Sequence, residues 1–444
     1  MGKKQSASRG GFASTAWRLV YQGLASAVFV IALVVYPLLR LFKPATAAWI
    51  IQRLLPQPLS FQPVLWLHAV SLGEAKLALS LLQRLPEAAR EQVLLTATTQ
   101  TGYDFFAARA APHQLRYLPW DLAWCYRRLF SGWTRPDVVL VETEIWPNLF
   151  FSTRKADARL FIVNGRLGPK TLRYRHNALL RRVMTHCTGV AARGKLDVAR
   201  FAAFGLPAAR MCVTGNMKFD LKAPPLAKAG VLHQWLQQPG PLFVFASIST
   251  DEAAMLAPAV SFLLHRFPEA RVLWAPRHLE DLPQHLTALA ADAPRPRGSL
   301  TEQTVAEPRL LVLDTFGELA SCYRFATLSL IGGSFNRRGG QNFLESLQAG
   351  TPALMGPSTE NFRHEVAEAL AVHAIQIIPR ADLVGETLAG LVRDPARLQA
   401  MATQGMDFLA KHQGAVDRTL AFLEASLRER PAAILFKDEG TPAP

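Results

Sequence analysis

No aspartate or glutamate occurs in this chain before Glu74. The lead-in is therefore basic and apolar, a composition suited to an anionic surface. Cysteine is also scarce. Cys125, Cys187, Cys212 and Cys322 are scattered and lack metal-ligand spacing, which points to a reducing compartment and no structural metal. The absence of Gly-x-x-x-x-Gly-Lys-Ser/Thr argues against a P-loop hydrolase, and the absence of Asp-x-Asp removes the usual metal-bound sugar site. No basic block interleaved with aromatics and no RNP-like run speaks for nucleic acid.

What is present is a globular balance. The 444 residues are 50% hydrophobic and 19% charged, enough for two or three domains. The formal charge of +15 implies an anionic partner. An uncharged run from Leu19 to Leu39, between Arg18 and Arg40, has the length of a bilayer span and exceeds a signal-peptide core. Lys3, Lys4 and Arg9 precede it, and Arg40, Lys43 and Arg53 follow, so the positive-inside rule sets no orientation. Gln22, the small residues Gly23, Ala25, Ser26 and Ala27, and a kink expected at Pro37 suit a helix dipping into one leaflet as well as one that spans. Basic flanks fit anionic lipid.

Beyond this anchor, residues 46–59 read as a short amphipathic helix, and strands then alternate with helices. Strands are expected at 65–70, 92–98, 137–142, 159–164, 189–193 and 211–215. After a linker-like stretch at 222–230 the pattern restarts at 242–246, 270–275, 310–314, 328–332 and 352–355, and a helical stretch at 386–427 closes it. The fold class is α/β: two Rossmann-like, doubly wound domains facing each other across a cleft, with an N-terminal membrane-anchor helix. The expected divisions are 1–44 for the basic N-terminus and anchor, 45–222 and 223–427 for the two domains, and 428–444 for a disordered tail.

Candidate chemistry falls at strand ends. Glu74 follows a tight turn at Ser71-Leu-Gly73, between a strand and a helix, where open α/β sheets place ligands; it reads equally as an acid that complements a helix dipole. Glu142 and Glu144 end the third strand. Burying them beside Glu74 needs a cation, for which Lys218 is a candidate, although Glu142 as a helix cap and Lys218 paired with Asp220 is an alternative. In the second half, Pro276 and Arg277 end one strand, Asp314-Thr-Phe-Gly-Glu318 another, and the segment from Gly332 to Glu345 a third, with glycine pairs flanking two arginines. Glycines let backbone approach an anion, and a helix start supplies N–H donors, so this segment reads as a phosphate cradle or as a plain connection. Glu345 is suited to a ribose diol.

Taken together, His68-Ala-Val-Ser-Leu-Gly-Glu74, Tyr117-Leu-Pro-Trp-Asp-Leu122, Val141-Glu-Thr-Glu-Ile-Trp-Pro-Asn148, Gly215-Asn-Met-Lys-Phe-Asp220, Ala275-Pro-Arg-His278, Asp314-Thr-Phe-Gly-Glu-Leu319 and Gly339-Gly-Gln-Asn-Phe-Leu-Glu345 resemble, in order, the 3-deoxy-manno-octulosonic acid (Kdo) transferases that act on the lipid A precursor. The resemblance spans about residues 60 to 420. It implies a GT-B fold, an acceptor-binding N-terminal domain and a CMP-Kdo domain after it. It also implies Glu74 as general base, with Glu142 and Lys218 supporting the transition state. CMP would be held by Pro276 and Arg277, by Phe316, Gly317 and Glu318, and by Asn342, Phe343, Leu344 and Glu345. No metal and no cofactor beyond the CMP-Kdo donor is implied. The partners are CMP-Kdo, the lipid A precursor and anionic lipid of the bacterial inner membrane, with a monotopic anchor and the catalytic domains on the cytoplasmic face.

The chain departs from the family pattern at Gln341 and Phe343, where His and Pro are usual, and at Ser247-Ile-Ser-Thr-Asp-Glu-Ala253, where the usual His and Gly are missing. The basic segment usual after the anchor is reduced. These departures keep open a GT-B transferase for another nucleotide sugar or acceptor, and a non-catalytic nucleotide-binding relative.

Overall fold

The computed structural model describes residues 2–131, 134, 136–222, 230–301, 303–305, 308–315, 317–428 and 435–436, and of 2–14 and 169 the backbone alone. The chain divides into two compact units, Met1–Leu221 with Gly414–Pro444, and Lys222–Gln413. Each is built on a seven-stranded sheet whose pairings are all parallel.

In the first unit the strands are β1 (Leu65–Ala69), β2 (Val93–Ala97), β3 (Leu115–Tyr117), β4 (Asp137–Val141), β5 (Leu160–Gly165), β6 (Gly189–Ala192) and β7 (Met211–Val213), in the order β3-β2-β1-β4-β5-β6-β7. Successive side chains of a strand point to opposite faces. Leu65, Leu67 and Ala69 accordingly pack with Leu77, Ala78 and Leu81 of the helix Leu72–Leu82 in one core. Trp66, Val138 and Leu140 pack into the other core, with Leu149, Phe150 and Val183. Burial on both faces explains why these strands read as continuous apolar runs.

The second unit carries β8 (Leu242–Ile248), β9 (Arg271–Pro276), β10 (Arg295–Pro296), β11 (Leu310–Val312), β12 (Leu328–Ile331), β13 (Ala353–Met355) and β14 (Ile375–Ile377), in the order β10-β11-β9-β8-β12-β13-β14. Phe243, Phe245, Val272, Trp274 and Leu330 share a core with Leu256, Val260 and Leu263 of the helix Thr250–Arg266. In both sheets the direction of winding reverses once, between β1 and β4 and between β8 and β12. Ligands of open α/β sheets bind outside the strand C-ends at such reversals.

Three strands lie outside the sequence expectations: β3, β10 and β14. Each closes an edge of its sheet, and the segments Leu-Arg-Tyr, Arg-Pro and Ile-Gln-Ile carry no apolar run. The helix expected at 46–59 is Pro44–Leu54. The helical stretch expected at 386–427 is three helices, Val384–Val392, Pro395–His412 and Ala415–Leu427.

The last of these corrects the second domain's expected end at 427, because it belongs to the first unit. Its Val416, Leu423 and Leu427 are buried in the first unit's core. Asp220 holds its start, accepting from Gly414 N at 2.7 Å through Oδ1 and from Val416 N at 2.6 Å through Oδ2. The tail expected to be disordered also brings Leu435 into that core, fully buried, with Phe436 packed against it. Residues 429–434 and 437–444, and 223–229 of the expected linker, lie outside the described residues.

The segment expected as an anchor is one helix, Gly2–Phe42, continuous through Pro37. Its segment Thr15–Phe42 is long and apolar enough to cross a membrane. Leu19, Leu24, Ile31, Val34, Leu38, Leu41 and Phe42 are exposed along it.

Candidate active site

At the reversal of the first sheet, β1 ends at Ala69 and the helix Leu72–Leu82 begins with Glu74 in its first turn. Glu74 Oε2 accepts from Val70 N at 2.5 Å, and Ser71 Oγ donates to Oε1 at 3.3 Å. Burial, then the negative charge of Glu142, outweigh these hydrogen bonds and push the Glu74 carboxyl up to about 7. The acid thus accepts backbone hydrogen bonds at a helix start, as a capping acid does, while burial and Glu142 raise its carboxyl.

On the neighbouring strand β4, Glu142 is the first residue beyond the end, with a backbone φ of +63°. A left-handed glutamate costs on the order of 1 kcal/mol or more and persists where its surroundings determine it. Here they do. Its N–H donates to Val163 O at 2.9 Å, and its Oε1 accepts from Arg193 Nη2 at 2.5 Å and from Lys218 Nζ at 2.9 Å. Burial alone would raise the Glu142 carboxyl, but Arg193 and Lys218 hold it at about 2. Burial pushes Lys218 below its ordinary value despite Glu142, and the Arg193 charge adds to that lowering. Glu144 is pushed up by burial and by Glu142. The two carboxyls are thus shifted in opposite directions, Glu142 down by its two cations and Glu74 up by burial and by Glu142.

The structure brings together Glu142 and Lys218, as the sequence suggested, and places Asp220 on Gly414 and Val416 instead of Lys218. It adds two residues the sequence reading passed over. Arg193 lies just past the end of β6, and Asn164 lies within β5, so both reach the same rim. Fully buried Asn164 accepts from Met217 N at 2.9 Å through Oδ1, which fixes the turn carrying Lys218, and its Nδ2 lies 3.4 Å from Glu142 Oε1. Their signal was available as polar residues closing apolar strands.

At the reversal of the second sheet the backbone bends sharply. Ser247 has φ +54°, and the β8–β9 register shifts between Phe245 and Ile248. A Cβ on Gly332 would lie 2.5 Å from Ser247 O, so only glycine fits there. The loop that follows turns through Gly333, Gly339 and Gly340, all at positive φ, and closes with Gly340 N donating to Gly333 O at 2.7 Å and Gln341 N to Gly332 O at 3.0 Å.

A fully buried carboxylate holds this loop from across the reversal. Glu252 accepts from Gly333 N at 2.6 Å and Ser249 Oγ at 2.6 Å through Oε2, and from Phe335 N at 2.8 Å through Oε1. The Ser249-x-x-Glu252 spacing is that of a helix capping box and announces the bond to Ser249, but not the hold on the amides of Gly333 and Phe335.

Around the same C-terminal edge, the Arg277 side chain is exposed while its N–H donates to Ile248 O at 2.8 Å. Glu318 accepts from Arg297 Nη2 at 3.0 Å and from Thr315 Oγ1. Gly317 has φ +87°, Pro276 ends β9, and Phe316 lies outside the described residues. Asn342 Oδ1 accepts from Leu344 N at 3.3 Å. Phe343 and Leu344 are fully buried, and Phe343 packs edge-on against Phe362, so only their backbone groups can meet a ligand. Glu345 is half-buried close to Tyr323, whose phenol its charge helps to raise. Among the described residues no cluster of three or more His, Cys, Asp or Glu side chains is arranged as a metal site.

Two doubly wound parallel units, one with acids at its sheet reversal and one with a glycine-rich loop at the equivalent place, define an α/β protein of the GT-B class. Solved structures share the fold. The UDP-GlcNAc 2-epimerase of Neisseria meningitidis bound to UDP-GlcNAc superposes with a TM-score of 0.55 at 11% identity, covering 82% of this chain and 99% of that one. The S. aureus MnaA–UDP structure gives 0.55 at 12% identity, covering 84% and 99%.

Residues 48–221 match the family model described as 3-deoxy-D-manno-octulosonic-acid transferase (kdotransferase). The 3-deoxy-D-manno-octulosonic acid transferase of Bordetella pertussis is 35% identical over 83% of this chain and 88% of its own length. That of Haemophilus influenzae is 27% identical over 82% and 87%. The chain belongs to the 3-deoxy-D-manno-octulosonic acid transferase family, and with it to the glycosyltransferases.

Proposed function

We propose that this protein transfers Kdo from CMP-Kdo to the lipid A precursor in lipopolysaccharide biosynthesis, with inversion at the anomeric carbon and Glu74 as general base. Family membership carries the Kdo transfer. The observation that carries the base is the Glu74 carboxyl, held at about 7 at a sheet reversal beside the permanent anion of Glu142. A base is most effective when its pKa lies near the working pH.

In the proposed step, Glu74 takes the proton of an acceptor hydroxyl as its oxygen bonds to the anomeric carbon of Kdo. The bond from that carbon to the CMP phosphate breaks, and its electron pair leaves on the phosphate oxygen. Arg277 and the amides of the glycine-rich loop suit the charge gathering there, because preorganised donors stabilise a developing anion. Lys218 and Arg193 support the step by fixing Glu142. Burial of Phe343 makes its departure from the family pattern a packing change within the second unit.

The exposed apolar residues of the helix Gly2–Phe42 support a membrane location, and we assign it to the inner membrane with the catalytic units on the cytoplasmic side, where a nucleotide sugar is available. The test is incubation of the full-length protein with CMP-Kdo generated in situ and lipid A precursor, followed by mass spectrometry of the lipid. Gain of Kdo mass, lost in Glu74→Gln, is expected. Turnover of a UDP-sugar with refusal of CMP-Kdo would overturn the donor assignment, and full activity of Glu74→Gln would overturn the base.

A further inference from the structure

The apolar helix Gly2–Phe42 carries two adjacent polar residues, Tyr21 and Gln22, and neither is left to lipid. The Tyr21 phenol donates to Asp121 Oδ2 at 2.6 Å, and Gln22 Nε2 donates to Asn148 Oδ1. Further along, Trp120 Nε1 donates to Ala25 O at 3.3 Å, and Phe29 meets Trp124 edge-on at 5.3 Å. Arg18 lies over the Phe151 ring at 4.3 Å. These contacts come from two places: the segment 120–124, and the helix Pro147–Lys155 with the residues at its start.

Asp121 joins those places. Its carboxylate, 4% exposed, accepts from two phenols and two backbone amides: Tyr21, Tyr126 at 2.7 Å, Asn148 N at 3.0 Å and Leu149 N at 2.9 Å. Its backbone carbonyl accepts from Asn148 Nδ2 at 2.5 Å. Asn148 and Leu149 are the second and third residues of the helix that Pro147 opens. Their amides have no intrahelical partner, and the preceding residue, Trp146, has no side chain able to accept from them. Asp121 supplies the missing acceptor from another part of the chain. Only Thr143 to Trp146 separate this helix start from Glu142.

We propose that Asp121 is a positioning residue for the acidic loop Glu142–Trp146, and that the membrane helix, through Tyr21, is a working part of the active site as well as an anchor. The reasoning is mechanical. Glu142 is held in a left-handed conformation at one end of a short loop, and the loop's other end is fixed by a helix start that Asp121 ties to Tyr21 and Gln22. Loosening the tie lets the loop relax, and water then reaches Glu142 and Glu144 and, with them, the Glu74 carboxyl that they face. The charged groups facing this loop are Glu74 from the helix Leu72–Leu82, Arg166 beyond β5, whose N–H donates to Thr143 Oγ1 at 3.0 Å, Arg193 beyond β6 and Lys218, with Glu142 and Glu144 on the loop itself.

The inference rests on the reading of Glu74 as base. Its test is Tyr21→Phe in the full-length protein, which removes one hydroxyl and keeps the ring. With folding intact by circular dichroism, kcat should fall about tenfold, the loss of roughly 1.4 kcal/mol. KM for CMP-Kdo should stay within twofold, and the acid limb of the kcat profile should move to lower pH as Glu74 becomes better solvated. Leu24→Ala, on the exposed face of the same helix, should match wild type. Should Tyr21→Phe not fold, Gln22→Leu carries the same test. Unchanged kcat and an unmoved acid limb in a folded variant would overturn the positioning role and leave anchorage alone. A wild-type profile without an acid limb near pH 7 would instead overturn the base reading, so the two failures are distinguishable.

Discussion

Arg193 Nη2 stands 2.5 Å from Glu142 Oε1, on a glutamate whose backbone is left-handed at φ +63°. Lys218 shares the same oxygen, so two cations restrain one carboxylate in an unfavourable backbone conformation. Removing a partner from a buried pair typically costs 3–5 kcal/mol, because the remaining charge is left desolvated. Glu142→Gln removes the charge that Arg193 and Lys218 share and should destabilise the first unit by about 3 kcal/mol. A denaturant titration at pH 7 reads this as a lower midpoint with unchanged slope. The sign against pH follows from a carboxyl whose folded value, about 2, is depressed below its ordinary 4.5: its stabilisation is full above 4.5 and is lost as pH falls toward 2.

Glu74 has the opposite sign. Its folded value of about 7 lies above 4.5, so its ionisation opposes folding progressively as pH rises from 4.5 to 7. Glu74→Gln should therefore melt higher than wild type at pH 8, by about 2–4 °C, and the difference should shrink toward pH 4.5. The same variant should lose at least about a hundredfold in kcat. In wild type, log kcat should climb with unit slope up to about pH 7 and then level.

Glu252 binds no ligand in this reading, yet donor affinity should depend on it. Glu252→Gln presents an amide nitrogen to N–H donors at Gly333 or Phe335, and a buried unsatisfied group costs about 1–3 kcal/mol. Calorimetric binding of CMP should weaken about tenfold or more, together with a lower melting temperature.

Arg277 offers the contrasting case. It is exposed, so Arg277→Ala should leave melting unchanged, while the lost charge-assisted hydrogen bond weakens CMP binding by about 2 kcal/mol. Equal affinities for variant and wild type, measured at low and high salt, would remove Arg277 from the donor site.

Asp220 is a stability residue. Asp220→Ala frees the two amides at the start of the helix Ala415–Leu427 and should cost about 1–2 kcal/mol, read by the same denaturant titration.

The two sheets were legible because strands buried on both faces are written as unbroken apolar runs, and Leu65 to Ala69 or Leu328 to Ile331 can hardly be read otherwise. Edge strands such as Arg295–Pro296 have no such run, since pairing on one side with few side chains inward leaves little pattern. In the site, Glu74 and Glu142 were visible as acids ending apolar segments, and Lys218 as the cation they required. Arg193 was not singled out, because its meeting with Glu142 depends on the strand order β4-β5-β6. Asp121 and Glu252 were hidden for a different reason: each accepts from backbone amides distant in sequence, which every residue type supplies equally. The helix Ala415–Leu427 followed a stretch of its own kind, and only its packing reveals that it belongs elsewhere.

The way Asp220 grips Gly414 and Val416 bears on how such a chain can be rearranged. The polypeptide leaves the first unit just after Leu221 and re-enters at Gly414, and one carboxylate pins the exit beside the entrance. Residues 222–413 are thus topologically an insertion whose two ends are neighbours, the geometry that permits circular permutation and module exchange. A short loop from Leu221 to Gly414 would close the first unit, with its apolar N-terminal helix, as a chain of its own. Residues 222–413 thus form a cassette with two adjacent seams, exchangeable between relatives without touching the strands that carry Glu74 and Glu142.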